Sequence, residues 1–262
     1  MKTIIQLLFL LGCVGICLND VSAQEIQIHS HNDYSRRLPF YQAYSQEIAS
    51  IEADVYTTFN DDDLIVAHDY RDLASAPTLE EMYINPLVNL FKLNNGRAWR
   101  KSDKILTLLI DLKSPYNPTL DMLIAKLKEY PDVFEPEVNP YAVRIVISGN
   151  RPKPEDFDKY PSCIMFDGLL REYTPHQLER VSMISLNFHD YVQWDGHKEI
   201  MPEDYQKLVL MTETAHTLGK PIRFWGAPDT PLAWETFYGI GIDFINTDHP
   251  EACAEFLRNK NK

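Results

Sequence analysis

Residues 105–130, ILTLLIDLKSPYNPTLDMLIAKLKEY, decide the fold because they join a strand pattern directly to a helix pattern. The first eight residues form an apolar run of strand length. Farther along, Pro118 suits the first turn of a helix. Apolar residues then repeat at the spacing of one helix face, namely Leu120, Leu123, Ile124 and Leu127. The stretch therefore predicts one strand–helix unit of an α/β protein.

Seven further apolar runs resemble this strand: EIQIHS, SIEADVY, AVRIVISG, CIMFDG, SMISLNF, PIRFW and IDFINT. Helical patterns separate several of them, as in PEDYQKLVLMTETAHTLGK and DTPLAWETFYGIG. Eight strands alternating with helices over about 240 residues fit a single-domain (β/α)₈ barrel. A doubly wound open sheet is the alternative, but no glycine-rich phosphate loop follows the first strand. The long segment 70–104, with the helical pattern TLEEMYINPLVNLFKL, predicts an insertion or lid over one mouth of the barrel.

The amino-terminal segment has the composition of a secretory signal peptide. Lys2 precedes the apolar run IIQLLFLLGCVGICL, and the small residues Val21 and Ala23 suit a cleavage site before Gln24. An apolar run of about 15 residues is shorter than the roughly 20 that cross a bilayer. We therefore expect residues 1–23 to be removed and residues 24–262 to form an exported barrel, secreted or periplasmic. Lipidation at Cys13 is the less favoured alternative.

Charge and cysteine content exclude several classes of function. The formal net charge is −13, so the surface attracts neither nucleic acid nor an anionic bilayer. An anionic substrate must then be held by local cations or a metal. After signal cleavage only Cys163 and Cys253 remain, and we expect two separate thiols rather than a disulfide scaffold.

Polar side chains cluster at the carboxyl ends of the first predicted strands, where (β/α)₈ enzymes carry their working residues. Glu52 and Asp54 lie two apart in EADV, so both point to the same side of a strand. Asp111 and Lys113 have the same spacing in IDLK. The histidines at such ends are His29 and His31 in IHSHND, and His68 in VAHD.

These residue types together predict metal-dependent phosphoester chemistry. Three carboxylates, Glu52, Asp54 and Asp111, form an oxygen-ligand set for Mg²⁺ or Ca²⁺ rather than zinc. Histidines beside such a metal can act as general acid and base near neutral pH. Lys113 supplies a point charge for a phosphate oxygen. A structural ion pair between Asp111 and Lys113 is the competing interpretation.

The chain resembles the superfamily of glycerophosphodiester phosphodiesterases and phosphatidylinositol-specific phospholipases, whose fold is the (β/α)₈ barrel. The matching segments are IHSHNDY, EADV, VAHD, PIRFWGAPD and the closing GIGIDFINTDHP. HSHNDY with EADV and TLEEMYINPL is most similar to the group named after the fungal altered-inheritance-of-mitochondria proteins. IDLK and the spacing from His29 to Asn32 also resemble the sphingomyelinase D type toxins.

The resemblance implies a role for each matched position. Glu52, Asp54 and Asp111 would bind the metal, and His29 and His68 would be the acid and base. His31 shares a strand side with His29 and rivals it for the catalytic role. Binding of the phosphate or substrate would fall to three residues: Lys113, Asn32 and Trp225.

One departure from the superfamily bears on function. Many glycerophosphodiesterases have His-Arg-Gly where this chain has HSH, so an arginine is missing at position 30. Arg36, Arg37 or Arg144 are candidate substitutes. The expected function is an exported phosphodiesterase that acts on a glycerophosphodiester or lysophospholipid-type ester. The alternative is a barrel without turnover that binds a phosphorylated or sugar ligand.

Overall fold

A computed structural model describes residues 25–58, 60 and 62–260, and within them nine strands and eight α-helices. The strands are β1 (Gln27–Ser30), β2 (Ser50–Thr57), β3 (Leu64–Val66), β4 (Thr107–Leu112), β5 (Arg144–Gly149), β6 (Ile164–Gly168), β7 (Val181–Asn187), β8 (Ile222–Trp225) and β9 (Phe244–Thr247). The helices are α1 (Tyr41–Ser45), α2 (Asn85–Leu93), α3 (Tyr116–Leu127), α4 (Pro131–Phe134), α5 (Pro175–Glu179), α6 (Pro202–Thr217), α7 (Pro231–Ile240) and α8 (Pro250–Lys260).

Eight of the strands close into a parallel barrel. Strand β1 pairs in parallel with β2 on one side and with β9 on the other, so the sheet has no free edge at this point. The order around the barrel is β1-β9-β8-β7-β6-β5-β4-β2. The predicted (β/α)₈ barrel is confirmed, and the open doubly wound sheet is excluded. Strand β3 is an addition that pairs antiparallel to the end of β2.

The helices form where the sequence pattern places them. In α3 the four residues of the predicted stripe are buried: Leu120, Leu123, Ile124 and Leu127. Helix α7 begins after Thr230, whose side chain accepts a hydrogen bond from the amide of Ala233. It ends at Gly241, where a φ of 79° requires the left-handed region that glycine tolerates. Local signals therefore set the bounds of the helices that cover the barrel.

The predicted lid is wrong. The segment forms a π-helical turn (Glu80–Ile84) followed by α2. Tyr83 and Leu87 are fully buried in the core that also contains Ile51 and Val55 of β2. Because these two β2 residues alternate with the inward-facing Glu52, they lie on the outer face of the barrel. The segment is thus the crossover from β2 to β4, and its apolar stripe covers the outside of the sheet.

Three other expectations concern the chain outside the barrel wall. The predicted signal peptide, residues 1–23, lies outside the described residues. Within the described part of the chain, no helix combines the length and apolar character needed to cross a membrane. Cys163 and Cys253 are both free thiols, as expected.

Candidate active site

Three carboxylates converge at the carboxyl end of the barrel because two adjacent strands present them in register. Asp54 of β2 lies directly opposite Asp111 of β4, and Glu52 stands two residues earlier on the same side of β2. Glu52 and Asp54 are buried, and Asp111 is half-buried. One oxygen from each of the three side chains lies within 4.8 Å of the others. The structure thus brings together the residues that the sequence nominated as metal ligands.

Each carboxylate has one oxygen that accepts hydrogen bonds and one oxygen that does not. Glu52 Oε2 accepts from His29 at 2.7 Å and from Arg223 at 3.0 Å. Asp54 Oδ2 lies 3.1 Å from Lys113 Nζ, and Asp111 Oδ2 lies 2.6 Å from the same atom. Asp54 Oδ1 and Asp111 Oδ1 are buried without any hydrogen-bond donor among the described residues. Because an unpaired buried oxygen is costly, this donor set fits a hard divalent cation.

The surrounding charges act differently on the pKa values of Glu52 and Asp54. Burial raises the pKa of Glu52, but the hydrogen bond from His29 and the charge of Arg223 outweigh it and leave the pKa well below its usual range. Burial and the neighbouring Glu52 charge raise the pKa of Asp54 above its usual range, although Lys113 opposes them. A divalent cation would relieve this repulsion between neighbouring carboxylates.

His29 lies beneath the cavity rather than in it. Its side chain is fully buried, with Nδ1 2.7 Å from Ser50 Oγ and Nε2 2.7 Å from Glu52 Oε2. Burial and the charge of Arg223 lower the pKa of His29 to about 4. With both ring nitrogens in hydrogen bonds, His29 is placed to orient Glu52.

His31, two residues farther along the chain, reaches the cavity. Its Nδ1 lies 3.1 Å from Asp248 Oδ1, and its Nε2 lies 3.8 Å from Glu52 Oε1. Arg36 holds the same Asp248 oxygen at 2.8 Å. Burial lowers the pKa of His31, but the hydrogen bond with Asp248 and the charge of Glu52 outweigh it, and the pKa is raised. His31 thus contacts Asp248 through Nδ1, and its side chain lines the cavity beside Glu52.

His68 lies on the other side of the carboxylates and is mostly exposed. Its Nδ1 is 3.3 Å from Asp54 Oδ2 and 3.0 Å from the hydroxyl of Tyr34. The same hydroxyl oxygen lies 2.7 Å from Asp54 Oδ2 and 2.7 Å from Asn32 Oδ1, and its single hydrogen is donated to one of these two oxygens. Tyr34 therefore connects Asn32 of the β1 turn with a carboxylate and a histidine of the neighbouring segments.

Gly149 at the end of β5 allows close approach to Asp111. Its φ is 66°, and a Cβ at this position would overlap Asp111 Oδ1 and the carbonyl oxygen of Leu112. Only glycine combines this backbone conformation with the absence of a side chain. The backbone of β5 thus forms one wall of the carboxylate cluster.

An open cavity of about 580 Å³ lies above the carboxylates. Several nominated residues line it, namely His31, Asn32, Glu52, His68, Asp111, Lys113 and Trp225. Lys113 remains protonated: burial lowers its pKa, but Asp111 and Asp54 outweigh it and raise the pKa above its usual range. None of the three arginines proposed as substitutes for the missing arginine lines the cavity. Arg36 forms an ion pair with Asp248, and Arg37 is exposed. Arg144 begins β5, at the opposite end of the barrel.

Sequence reasoning missed one cation, Arg223, and two positioning groups. Arg223 is buried inside the barrel and bonds Glu52, Asn246 and Ser185. It stands two residues before Trp225, so strand alternation would have placed both on the inner side. Arg151, which follows the end of β5, lines the cavity and forms an ion pair with Asp167 at 2.9 Å. Asp248 and Tyr34 stand in matched segments of the sequence, but their contacts with His31 and Asp54 join residues 217 and 20 positions apart, so no local spacing indicated their roles.

Comparison with known proteins places the chain in a family. Residues 18–153 match the sequence profile described as the AIM6-like phosphodiesterase domain, which covers half of the chain. "Altered inheritance of mitochondria protein 6" from Eremothecium gossypii is 28% identical over 276 residues, which is 88% of this chain and 69% of that protein. The homologue from Arthroderma benhamiae is 25% identical over 265 residues, 88% of this chain and 84% of that protein.

Solved structures support the same fold. A glycerophosphodiester phosphodiesterase from Parabacteroides distasonis superposes with a TM-score of 0.58 at 19% identity, covering 92% of this chain and 100% of that one. A putative glycerophosphoryl diester phosphodiesterase from Agrobacterium tumefaciens superposes with a TM-score of 0.54 at 13% identity. The superposition covers 90% of this chain and 98% of that one. At such identities the similarity concerns the barrel. By its sequence profile the chain belongs to the AIM6-like phosphodiesterase domain family, and it is a phosphoric diester hydrolase-like enzyme.

Proposed function

We propose that this protein is an exported, metal-dependent phosphodiesterase that hydrolyses a glycerophosphodiester or lysophospholipid-type phosphate ester. The observation that carries the proposal is the pattern of satisfied and unsatisfied oxygens. Glu52 Oε2, Asp54 Oδ2 and Asp111 Oδ2 are held by the protein, while Asp54 Oδ1 and Asp111 Oδ1 are buried without donors. Two such oxygens side by side at the floor of a cavity support a cation site, because an unpaired buried carboxylate oxygen is costly.

Glu52, Asp54 and Asp111 would hold Mg²⁺ or Ca²⁺, which prefer oxygen ligands. When bound, the cation would neutralise negative charge that develops on the phosphoryl oxygens. Lys113 lies on the cavity wall beside Asp111 and would bind a phosphate oxygen as a point charge. Arg151 lines the same cavity and would take over the role of the arginine missing at position 30.

His31 and His68 would move the protons of the reaction. Both line the cavity, on opposite sides of the carboxylates, whereas His29 does not. One imidazole would accept a proton from the water that attacks phosphorus, while the other would donate a proton to the ester oxygen that leaves phosphorus. Asp248 fixes the ring of His31, and Tyr34 contacts the ring of His68. We assign His29 to positioning Glu52.

Substrate binding at the mouth of the cavity would involve Asn32 and Trp225. The Asn32 side chain lies between His31 and Tyr34, with Nδ2 3.2 Å from His31 Nδ1. Trp225 ends β8 and is 42% exposed at the mouth of the cavity, where its ring can cover a bound substrate. The location of the enzyme rests on the signal-peptide pattern of residues 1–23.

The proposal is tested by hydrolysis of bis(p-nitrophenyl) phosphate and glycerophosphocholine by the chain from Gln24, with Mg²⁺, with Ca²⁺ and with EDTA. Glu52→Gln keeps the size of the side chain and removes its charge. Glu213→Gln is the matched control, because Glu213 is exposed on α6 and distant from the cavity. We expect turnover that needs the cation, is lost in Glu52→Gln and is retained in Glu213→Gln.

Turnover that persists in EDTA and in Glu52→Gln would contradict metal dependence. Cation binding without turnover of either ester would favour the alternative, a barrel that binds a phosphorylated or sugar ligand. Export is tested separately, by sequencing the amino terminus of the protein recovered outside the cytoplasm of the producing cell. We expect it to begin at Gln24, and recovery of the protein only inside the cell with Met1 or Lys2 at its terminus would contradict export.

A further inference from the structure

A second, smaller cavity lies beside the candidate active site, between the segments that follow β5 and β6. We call it the side pocket, and its volume is about 120 Å³. It shares four wall residues with the cavity above the carboxylates, namely Gly149, Arg151, Asp167 and Leu169. Other residues line the side pocket but not the larger cavity, among them Phe157, Arg171 and Tyr173. A substrate held above the carboxylates can therefore extend one group into the side pocket.

The walls of the side pocket are fixed by the backbone and by the core. The hydroxyl of Tyr173 accepts a hydrogen bond from the amide of Leu169 at 2.9 Å and donates one to the carbonyl oxygen of the same residue at 3.1 Å. Phe157 is buried, and its ring stacks on that of Phe166 with 3.9 Å between the ring centroids. The shape of the side pocket therefore exists before any ligand enters it, which lowers the entropic cost of binding.

The side pocket is positively charged, although the chain has a formal net charge of −13. Two guanidinium groups line it, and one carboxylate. Arg151 Nε lies 2.9 Å from Oδ1 of the buried Asp167, so these two charges balance. The ion pair of Arg171 with Glu155 is weak, because it is 3.9 Å long and the two side chains are 51% and 60% exposed. The charge of Arg171 is therefore available to a ligand.

We propose that the side pocket is a subsite for a second anionic group of the substrate, with Arg171 as the residue that selects it. The inference rests on the proposed function, because it narrows the substrate to a phosphodiester whose alcohol carries a carboxylate or a phosphate. A guanidinium donates two parallel hydrogen bonds to either group. The acidic chain as a whole repels such a substrate, so a cation is needed where the second anionic group lies.

The test compares two soluble esters, glycerophosphoserine and glycerophosphoethanolamine, which differ by one carboxylate. The kcat/KM of each is measured with the chain from Gln24 in the presence of Mg²⁺ or Ca²⁺. Arg171→Gln removes the charge and keeps a polar side chain. Arg71→Gln is the matched control, because Arg71 is 85% exposed, pairs with Asp69 at 3.5 Å and lines neither cavity. Both variants change the net charge equally, so the long-range attraction of an anionic substrate is matched.

We expect the unsubstituted protein to prefer the serine ester. In Arg171→Gln the ratio of kcat/KM for the serine ester to that for the ethanolamine ester should fall about tenfold, as expected for the loss of a hydrogen bond to a charged group. The fall should come mainly from a higher KM for the serine ester, because the lost contact binds the substrate away from the reacting phosphorus. Arg71→Gln should keep the ratio of the unsubstituted protein.

The inference is overturned if the unsubstituted protein does not prefer the serine ester, or if Arg171→Gln and Arg71→Gln lower the ratio equally. Failure of the proposed function gives a different result, since neither ester is then hydrolysed. Calorimetric titration with phosphoserine and with phosphoethanolamine still tests the side pocket in that case. Tighter binding of phosphoserine that is lost in Arg171→Gln alone would support the subsite, and equal affinity for the two compounds would overturn it.

Discussion

The two ends of the barrel interior come from the same strands but have opposite chemistry. At the amino end, a small apolar cluster fills the interior: Leu109, Val146, Met183 and Phe244. Two residues farther along β4 and β6, Asp111 follows Leu109 and Asp167 follows Met165. A step of about 7 Å along a strand therefore changes a packed floor into a charged cluster. The floor therefore packs the barrel interior, and the carboxyl end carries the candidate active site.

The largest expected effect separates the two histidines of β1 and its turn. His31→Gln should lower turnover by about 10²- to 10⁴-fold, because it removes a proton-transfer group at the cavity. His29→Gln should lower it by about 10- to 100-fold, as expected for a residue that orients a metal ligand. Steady-state kinetics with a soluble diester measure both. The reverse order would mean that the buried histidine carries the catalysis, as the resemblance implied.

The second effect concerns the carboxylates themselves. Asp111→Asn should lower turnover by about 10²- to 10³-fold, because it weakens charge stabilisation at the reacting phosphate. The same change should leave the free energy of unfolding without cation unchanged or higher, since one of three neighbouring negative charges is removed. Thermal unfolding with and without Mg²⁺ or Ca²⁺ checks this, because a cation that binds the native state raises the melting temperature. An equal rise in the Asn variant would remove Asp111 from the ligand set.

A third, smaller effect uses two glycines with the same backbone conformation. Gly149→Ala and Gly219→Ala both place a Cβ at positive φ, 66° and 69°, which costs about 1–2 kcal/mol. The new Cβ overlaps Asp111 Oδ1 only at Gly149, while Gly219 has no heavy atom within 4 Å of that position. We expect Gly149→Ala alone to lose turnover, and we expect it to lose more stability than Gly219→Ala, because its Cβ also overlaps the backbone carbonyl oxygen of Leu112. Equal turnover in the two variants would show that the wall of β5 does not shape the site.

The smallest effect on turnover is expected at the floor of the barrel. Leu109 is fully buried, and Leu109→Ala should lower the free energy of unfolding by about 2–5 kcal/mol through loss of apolar contacts and formation of a cavity. Turnover per folded molecule should change less than in any of the site variants. Denaturant unfolding and kinetics below the transition measure the two quantities separately. A selective loss of turnover would contradict the division between floor and catalytic end.

Much of this arrangement could be predicted from the sequence, because strand alternation fixes the side of the sheet to which a residue points. That rule was sufficient for the eight strands and for the convergence of Glu52, Asp54 and Asp111. Strand alternation does not say how close to the carboxyl end of the barrel a side chain lies. His29 and His31 point the same way, and only the closed barrel shows that one lies beneath the carboxylates and the other beside the cavity.

Other features depended on contacts between distant segments. Asp248 meets His31 across 217 residues of sequence, and Arg223 meets Glu52 across 171, so no local pattern indicates either pair. The lid was misassigned for a related reason. An apolar helical stripe predicts burial, but the sequence does not say whether it covers the mouth or the outer wall of the barrel.

We propose that Glu52, Asp54 and Asp111 hold one divalent cation above the apolar floor. The most direct test is anomalous diffraction from crystals of the chain from Gln24 soaked with Mn²⁺, a substitute for Mg²⁺. We expect one anomalous peak among these three side chains, and we expect it to be lost in Asp111→Asn. A peak at another site, or no peak at saturating Mn²⁺, would contradict a cation site at these carboxylates.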